Sequence, residues 1–315
     1  MTPTVRKHRH LRPQVFTAFG IAVTIVLLGG CLSVLWQRNV WLNERLSARL
    51  ASVQSLFALE IEREAKLLET VVDFLEEDAQ LRQAWLAGDR TALLESAQPH
   101  FQQFQANNRI THLYFIDRRK ACFLRVHNPP RHGDTITRYT LTEAARSGQT
   151  VSGMELGPYG TFTLRVVRPW RVDGQLVGYL ELGEEIEHLA SALNRVLDAE
   201  LVFAIYKSCL NRSQWHEGLA MTGLTGVWEL AEDYVFVDRT LDEVPSELLG
   251  QLGPDHREHS DQQFTFAHGS RTYRCGILQL QEASGRDVGD IFALIDVTTS
   301  AALVNKLLAI QIGAG

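Results

Sequence analysis

Cysteine, methionine and recognisable catalytic signatures are all scarce in this chain. Its 315 residues include four cysteines and three methionines. No two cysteines stand in C-x-x-C spacing, which argues against a zinc ribbon and a dense disulfide framework. Cys31 sits in an apolar run, and among Cys122, Cys209 and Cys275 only Cys209 with Cys275 is a pair worth considering. G-x-S-x-G, H-E-x-x-H and the phosphate-cradling P-loop are missing. The chain is therefore read as a non-enzyme, and any output enzyme domain would lie downstream or on a partner. His256-Arg257-Glu258-His259 has H-x-x-H spacing but lacks a third ligand in register, so it reads as a polar loop and neither metal nor cofactor is expected. An overall basic charge is lacking too. The formal charge is −6, and the first 14 residues carry +4, which leaves −6 − (+4) = −10 for the remainder. Such an acidic remainder speaks against nucleic acid as a partner. With 45% hydrophobic and 22% charged residues, disorder is excluded and there is material for one large or two modest domains.

What is present begins with Val15 to Trp36, an uncharged run of about the length an α-helix needs to cross a bilayer. Arg6, Lys7, Arg9 and Arg12 precede it, so the positive-inside rule puts residues 1–14 in the cytoplasm, 15–37 in the membrane and the rest outside. Arg38, Arg45 and Arg49 after the run weaken that asymmetry. Two alternatives stay open. The run reads as a buried core helix of a soluble domain, or Leu28-Gly29-Gly30-Cys31 acts as a lipoprotein cleavage box that replaces the span with a lipid anchor.

From about Val40 to Ala87 the pattern is that of one long helix, broken only at Gly88-Asp89. Leu46, Leu50, Val53, Phe57, Ile61, Ala65, Leu68, Val72 and Leu75 recur at steps of mostly four and three, with charged residues between them. The upper half of this stripe is expected to pack on its own domain, and the lower half to form a seam with a second copy. A second helix, Ala92 to Asn107, leads into a period of two. Strands are predicted at Ile110 to Asp117, Cys122 to His127, Thr150 to Leu156, Phe162 to Trp170 and Leu176 to Leu182, with a short helix at Thr140 to Arg146. The order then repeats: a helix from Glu184 to Leu197, strands at Leu201 to Lys207 and Val227 to Val237, a helix at Leu241 to Leu252, and strands at Phe264 to His268, Thr272 to Gln281 and Asp290 to Thr298. The implied fold is α+β, two small antiparallel sheets in tandem with helices beside them. Trp215, Trp228 and Phe236 are read as core. Ser300 to Ile312 is predicted helical, and residues 301–315 look like the start of a second membrane segment.

Over roughly Val40 to Ser300 the chain resembles the extracytoplasmic double Cache modules of bacterial transmembrane receptors. The runs carrying the likeness are HLYFIDRRKACFLRVHNPPRHGD (112–134), GYLELGEEI (178–186) and VGDIFALIDVT (288–298). The resemblance implies PAS-like sheets, a long helix over 38–90, a membrane-distal module over 91–197 and a membrane-proximal module over 198–300. It also implies the input region of a sensor kinase, diguanylate cyclase or chemoreceptor in the bacterial inner membrane, with residues from about 38 onward in the periplasm. The Tyr, Arg and Trp-Tyr pattern of amino-acid-binding Cache domains is not found, since Arg118-Arg119-Lys120 stands where aromatics are sought. A membrane- or lipid-anchored periplasmic binding protein without its own output domain is the alternative.

Alternation along the strands sorts the first module's side chains. Phe123, Arg125 and His127 are expected on one face, with Cys122, Leu124 and Val126 on the other. Thr163, Arg165 and Val167 lie together, as do Tyr179 and Glu181. One face thus collects Arg125, His127, Arg165, Tyr179 and Glu181, with Tyr114 and Tyr159 placed to cover it. That face is either a solvated surface with an Arg125–Glu181 ion pair, or a pocket in which two guanidinium groups grip the carboxylate of a small anion. A homodimer through the long helix is the expected assembly.

Overall fold

The computed structural model describes residues 12–185, 187–222, 226–252 and 263–299. The chain divides into two compact units, Met1–Ala48 with Thr298–Gly315 and Arg49–Val297. In the first unit the described backbone up to Ala48 is helical from Arg12, and Phe16–Gln37 is long and apolar enough to span a membrane, with none of that stretch buried. The expected helix at Ser300 to Ile312 and the His256 to His259 loop lie outside the described residues.

In the second unit, helix α1 (Arg12–Glu77) carries the predicted stripe onto the core. Val53, Ala65, Leu68, Val72 and Leu75 are buried, while Leu50, Phe57 and Ile61 pack against them. Phe57 meets Phe203 with ring centroids 6.1 Å apart, so the lower part of the stripe is also used within its own chain. The helix does not run unbroken to Ala87. Asp78 leaves helical geometry, accepts from Gln80 N and Leu81 N at 2.8 and 2.9 Å, and starts α2 (Ala79–Ala87) as its N-cap. Gly88, in the left-handed region, closes α2 before Asp89 caps α3 (Arg90–Asn108).

The first sheet contains β1 (Ile110–Ile116), β2 (Cys122–Arg125), β3 (Val151–Leu156), β4 (Phe162–Val172) and β5 (Gln175–Glu185), with α4 (Tyr139–Ser147) between β2 and β3. Helix α5 (Glu187–Leu197) leads to β6 (Glu200–Tyr206), and α6 (Arg212–Thr222) precedes β7 (Tyr234–Arg239). A single-turn α7 (Ser246–Leu249), β8 (Phe264–His268), β9 (Arg271–Gln281) and β10 (Asp287–Asp296) complete the second sheet. Both sheets are antiparallel throughout, and their strand orders match: β2-β1-β5-β4-β3 and β7-β6-β10-β9-β8. The duplication expected from element order is therefore present, and the fold is α+β.

Three local expectations are corrected. Helix α6 lies where no helix was expected. The predicted strand Val227 to Val237 shrinks to β7, behind a 3₁₀ turn at Trp228–Leu230. An irregular register between Phe115 and Ile116 pairs Phe115 with Leu124 but Ile116 with Cys122. This bulge puts Cys122 with Tyr114 and Ile116, and sends Phe123 to the helix side against Trp85, reversing the strict alternation for both residues. All four cysteines are free thiols, so Cys209 and Cys275 are not bridged.

The helix-facing sides of both sheets share one apolar cluster, which includes Phe115, Leu180 and Leu182 from the first and Phe203, Ile291 and Ala293 from the second. The opposite sides differ. On the second sheet Phe292, Leu294, Cys275, Phe266 and Tyr234 form an apolar core, with Asp290 accepting from the hydroxyls of Tyr206 and Tyr234 at 3.0 and 2.7 Å. On the first sheet the corresponding side is divided between an apolar cluster beneath α4, with Ile116, Val167 and Tyr179, and an ionic group around Tyr114.

Candidate functional site

Tyr114 is the centre of that ionic group. It faces outward from β1, opposite Arg125 on β2 and Glu181 on β5. Three guanidinium carbons surround its ring, those of Arg138, Arg125 and Arg165 at 4.9, 5.3 and 5.9 Å from the centroid. Each is anchored by a carboxylate. Arg125 grips Asp134 with two parallel bonds of 2.7 Å and also donates to the Arg131 carbonyl at 2.7 Å. Glu181 has no exposed surface, and its Oε1 accepts from Arg165 Nη1 at 2.7 Å and from Arg138 Nη2. Glu155 on β3 lies 3.6 and 3.7 Å from Arg138 and Arg165, and accepts from Thr140 N at 2.7 Å at the start of α4, where the helix dipole favours a negative group.

Gly183 makes room for this arrangement. A Cβ there would come within 3.1–3.3 Å of Thr163 Cγ2, His112 Cβ and Arg165 Nη1.

The charged groups bound a cavity of about 290 Å³, the size of a small-molecule site. Its walls come from β1 (His112, Tyr114), the end of β2 and the following loop (Arg125 to Arg138), Arg165 on β4, Glu185 and the Gly157–Thr161 turn. Gly218, on α6 of the second module, completes the wall. Tyr159 forms the lip: its hydroxyl accepts from Arg131 at 3.2 Å, and its backbone lies where a Cβ on Gly218 would be 2.5 Å from the carbonyl oxygen.

Four arginines (Arg125, Arg131, Arg138, Arg165) and two carboxylates (Asp134, Glu185) line the cavity, and Glu155 and Glu181 stand behind the wall as counter-charges to Arg138 and Arg165. Both lining histidines are kept neutral, chiefly by burial. Burial, then the charge of Arg165, holds His112 well below its ordinary pKa. Burial, with the charges of Arg125 and Arg165, brings His127 down to about 4. The hydrogen bond from Arg125 holds the Asp134 carboxyl at about 2. Glu181 also stays below the usual range: burial opposes ionisation, and Arg138 and Arg165 outweigh it. On the helix side of β5, burial raises Glu184 to about 7, although Arg109 Nε donates to it at 3.1 Å.

Of the residues chosen from sequence, Arg125, His127, Arg165, Tyr114 and Tyr159 line the cavity together. Glu181 stands behind the wall as the partner of Arg165 and Arg138 rather than of Arg125, whose partner is Asp134. Tyr179 shares their face but does not line the cavity; it belongs to the apolar cluster of Ile116, Ile136, Leu141 and Val167 beneath α4. Sequence reasoning missed His112, Arg131, Asp134, Arg138, Glu155 and Gly218. His112 was available, two residues before Tyr114 on the same face. Glu155 was available by the same alternation. The loop residues and Gly218 carry no periodic signal.

A duplicated antiparallel sheet, with a small polar cavity built on one copy, defines a tandem sensory-domain protein. The profile of the family described as "Double sensory domain of two-component sensor kinase" matches residues 43–300. The chain belongs to that family, dCache_3. No curated protein matches it. Among solved structures it is similar to the sensor domain of the histidine kinase DctB from V. cholerae, at 14% identity, with 82% of this chain and 98% of that one covered and a TM-score of 0.45. It is likewise similar to the periplasmic domain of Vibrio cholerae LuxQ (15%, 78% and 97%, 0.44). A domain of a sensory box/GGDEF family protein from Vibrio parahaemolyticus also matches (16%, 79% and 92%, 0.41).

Proposed function

We propose that the chain is the extracytoplasmic ligand-sensing region of a bacterial transmembrane receptor, without catalysis of its own, and that its first module binds a small carboxylate anion. The observation that supports this reading is the convergence of four arginines on one cavity wall, three of them held in place by carboxylates. Arg131 makes no ion pair among the described residues and is the guanidinium most ready to meet an incoming carboxylate. The Phe16–Gln37 segment serves as the membrane anchor. Leu59, Leu67 and Phe74 leave an exposed apolar strip on α1, and a second copy is the partner we assign to it. Signalling then requires the anion to favour one packing of the paired helices over another.

Calorimetric titration of the full chain in nanodiscs with small carboxylates and with alkylamines of equal size tests the reading. Carboxylates are expected to bind, and Arg131→Ala to weaken them severalfold. Binding of amines alone would refute the proposal.

A further inference from the structure

Helix α6 meets the lip of the cavity at two positions three residues apart, and therefore with one face. Gly218 lies against Tyr159: a Cβ there would be 2.5 Å from the Tyr159 carbonyl oxygen and 2.7 Å from its Cβ. Trp215 lies against the next residue, Gly160, where a Cβ would be 2.7 Å from the indole Cδ1. Gly160 has a φ of 83°, which glycine adopts at no steric cost. Its N–H donates to the Gly157 carbonyl at 3.1 Å, and Gly157 N donates to the Thr161 carbonyl at 2.7 Å, so the turn is closed by its own backbone. The bare face of Gly160 thus serves both the turn and the indole that covers it.

The opposite edge of the indole is held within the second module. A Cβ on Gly226 would be 2.7 Å from Trp215 Cζ2 and 3.0 Å from Cη2, and Trp228 packs beside the ring with centroids 5.4 Å apart. Lys207 Nζ stands 5.4 Å from the Trp228 centroid and backs this stack. Trp215 is 1% exposed. A rigid ring with glycine against both edges has no room to shift alone, so the position of the turn follows the position of α6. The turn carries Tyr159, whose hydroxyl accepts from Arg131 at 3.2 Å, and both residues line the cavity.

We infer that Trp215 of the second module is a positioning residue for the binding cavity of the first: it fixes the Gly157–Thr161 turn, and with it Tyr159 and Arg131, so that ligand binding and the docking of α6 strengthen each other. The inference rests on the reading above for the place where a ligand binds, and not for the ligand's charge. Trp215 touches no ligand itself; it acts through the turn. Because such coupling is reciprocal, an occupied cavity must hold α6 as firmly as α6 holds the cavity.

The test is calorimetric titration of the full chain in nanodiscs with acetate, glutarate and citrate, and with ethylamine and 1,5-diaminopentane as cationic counterparts; whichever binds wild-type protein is the probe. Trp215→Ala should weaken the probe at least about fivefold, the lower end of coupling between linked sites, and Trp215→Phe, which keeps a ring between the two glycines, should recover most of that loss. Phe292→Leu controls for general destabilisation: Phe292 is fully buried in an apolar cluster that contains no described residue of α6, and affinity should stay within about twofold. Circular dichroism melting establishes that each variant is folded. Hydrogen exchange on wild-type protein gives a second measurement that needs no variant: a saturating probe should slow the α6 amides at least about fivefold more than those of β8. Unchanged affinity in folded Trp215→Ala, an equal loss in Phe292→Leu, or equal slowing of α6 and β8 overturns this inference; if Trp215→Ala does not fold, the exchange result decides. Binding of amines alone overturns the carboxylate reading while the same variants still decide this one. If no probe binds, both fall.

Discussion

Replacing Glu181 by glutamine is the most direct test of how the ionic group on the first sheet is held. Glutamine keeps the volume, so no cavity opens and the effect is electrostatic. The carboxylate has no exposed surface and is shared by Arg165, 5% exposed, and Arg138. Removing its charge leaves two guanidinium groups at the protein's interior side of the cavity with Glu155, at 3.6–3.7 Å, as the remaining counter-charge. Breaking a buried ion pair at one partner costs about 3–5 kcal/mol, a large fraction of the roughly 5–15 kcal/mol that holds a domain folded. At about 2–4 °C per kcal/mol for a unit of this size, Tm should fall by roughly 6–20 °C. Thermal unfolding of the full chain in detergent, followed by circular dichroism, reads this directly. Glu143→Gln removes a carboxylate from the exposed Arg146 pair and serves as the control, with no measurable change expected. Adding Arg165→Met to Glu181→Gln should restore part of the loss, since the stranded cation is then gone. A fall below about 2 °C for Glu181→Gln would show that the carboxylate is not the keystone argued from its contacts.

Three further outcomes follow from the same geometry. His127 has a folded pKa of about 4 against an ordinary 6.5, so the unfolded chain takes up its proton first, and stability is lost as pH falls from 6.5 through 4. The stability difference between His127→Asn and wild type should change in the variant's favour by about 3 kcal/mol across that window in chemical denaturation. Glu184, raised to about 7, stabilises below 4.5 and loses that contribution as pH rises through 7, but this opposite slope cancels in the difference; a flat difference would refute the buried neutral imidazole. Gly218→Val places carbon against the Tyr159 carbonyl, where even a Cβ would lie 2.5 Å away, so it should weaken carboxylate binding severalfold in titration although residue 218 belongs to the second module. Unchanged affinity would mean that the lip adjusts freely. Leu59→Cys should form disulfide-linked dimers on mild oxidation in membranes, visible on non-reducing gels, whereas Leu86→Cys, on α2, serves as the comparison; equal yields would count against the α1 strip as the seam.

How the site became visible differs residue by residue. Arg165 and Glu181 could be placed on one side because β4 and β5 alternate regularly, and their register pairs Val167 with Glu181. Their mutual ion pair, however, required Gly183 between them to leave space for a guanidinium, a matter of three-dimensional fit. Arg125 was correctly oriented, but Cys122 and Phe123 were not, because one bulge shifts the phase of alternation within the same four-residue strand. Tyr179 obeys the alternation and still misses the cavity: it lies too far along β5, under α4. Asp134 and Arg138 come from an irregular loop whose path has no period to read.

The membrane-length run, the helical stripe from Leu50 to Leu75, and the repeated order of helices and strands were legible in the chain alone, because each is a periodic or compositional signal imposed locally by backbone geometry. The long helix's break at Asp78 depended on a cap that competes with the apolar stripe, and the pairing of Arg125 with Asp134 on a loop that returns beside β2. Most of all, the approach of Gly218 to Tyr159 joins a helix of the second module to a turn of the first, 59 positions apart in the chain. Contacts of that kind arise only when two separately patterned modules pack, since no local preference of either segment specifies the other.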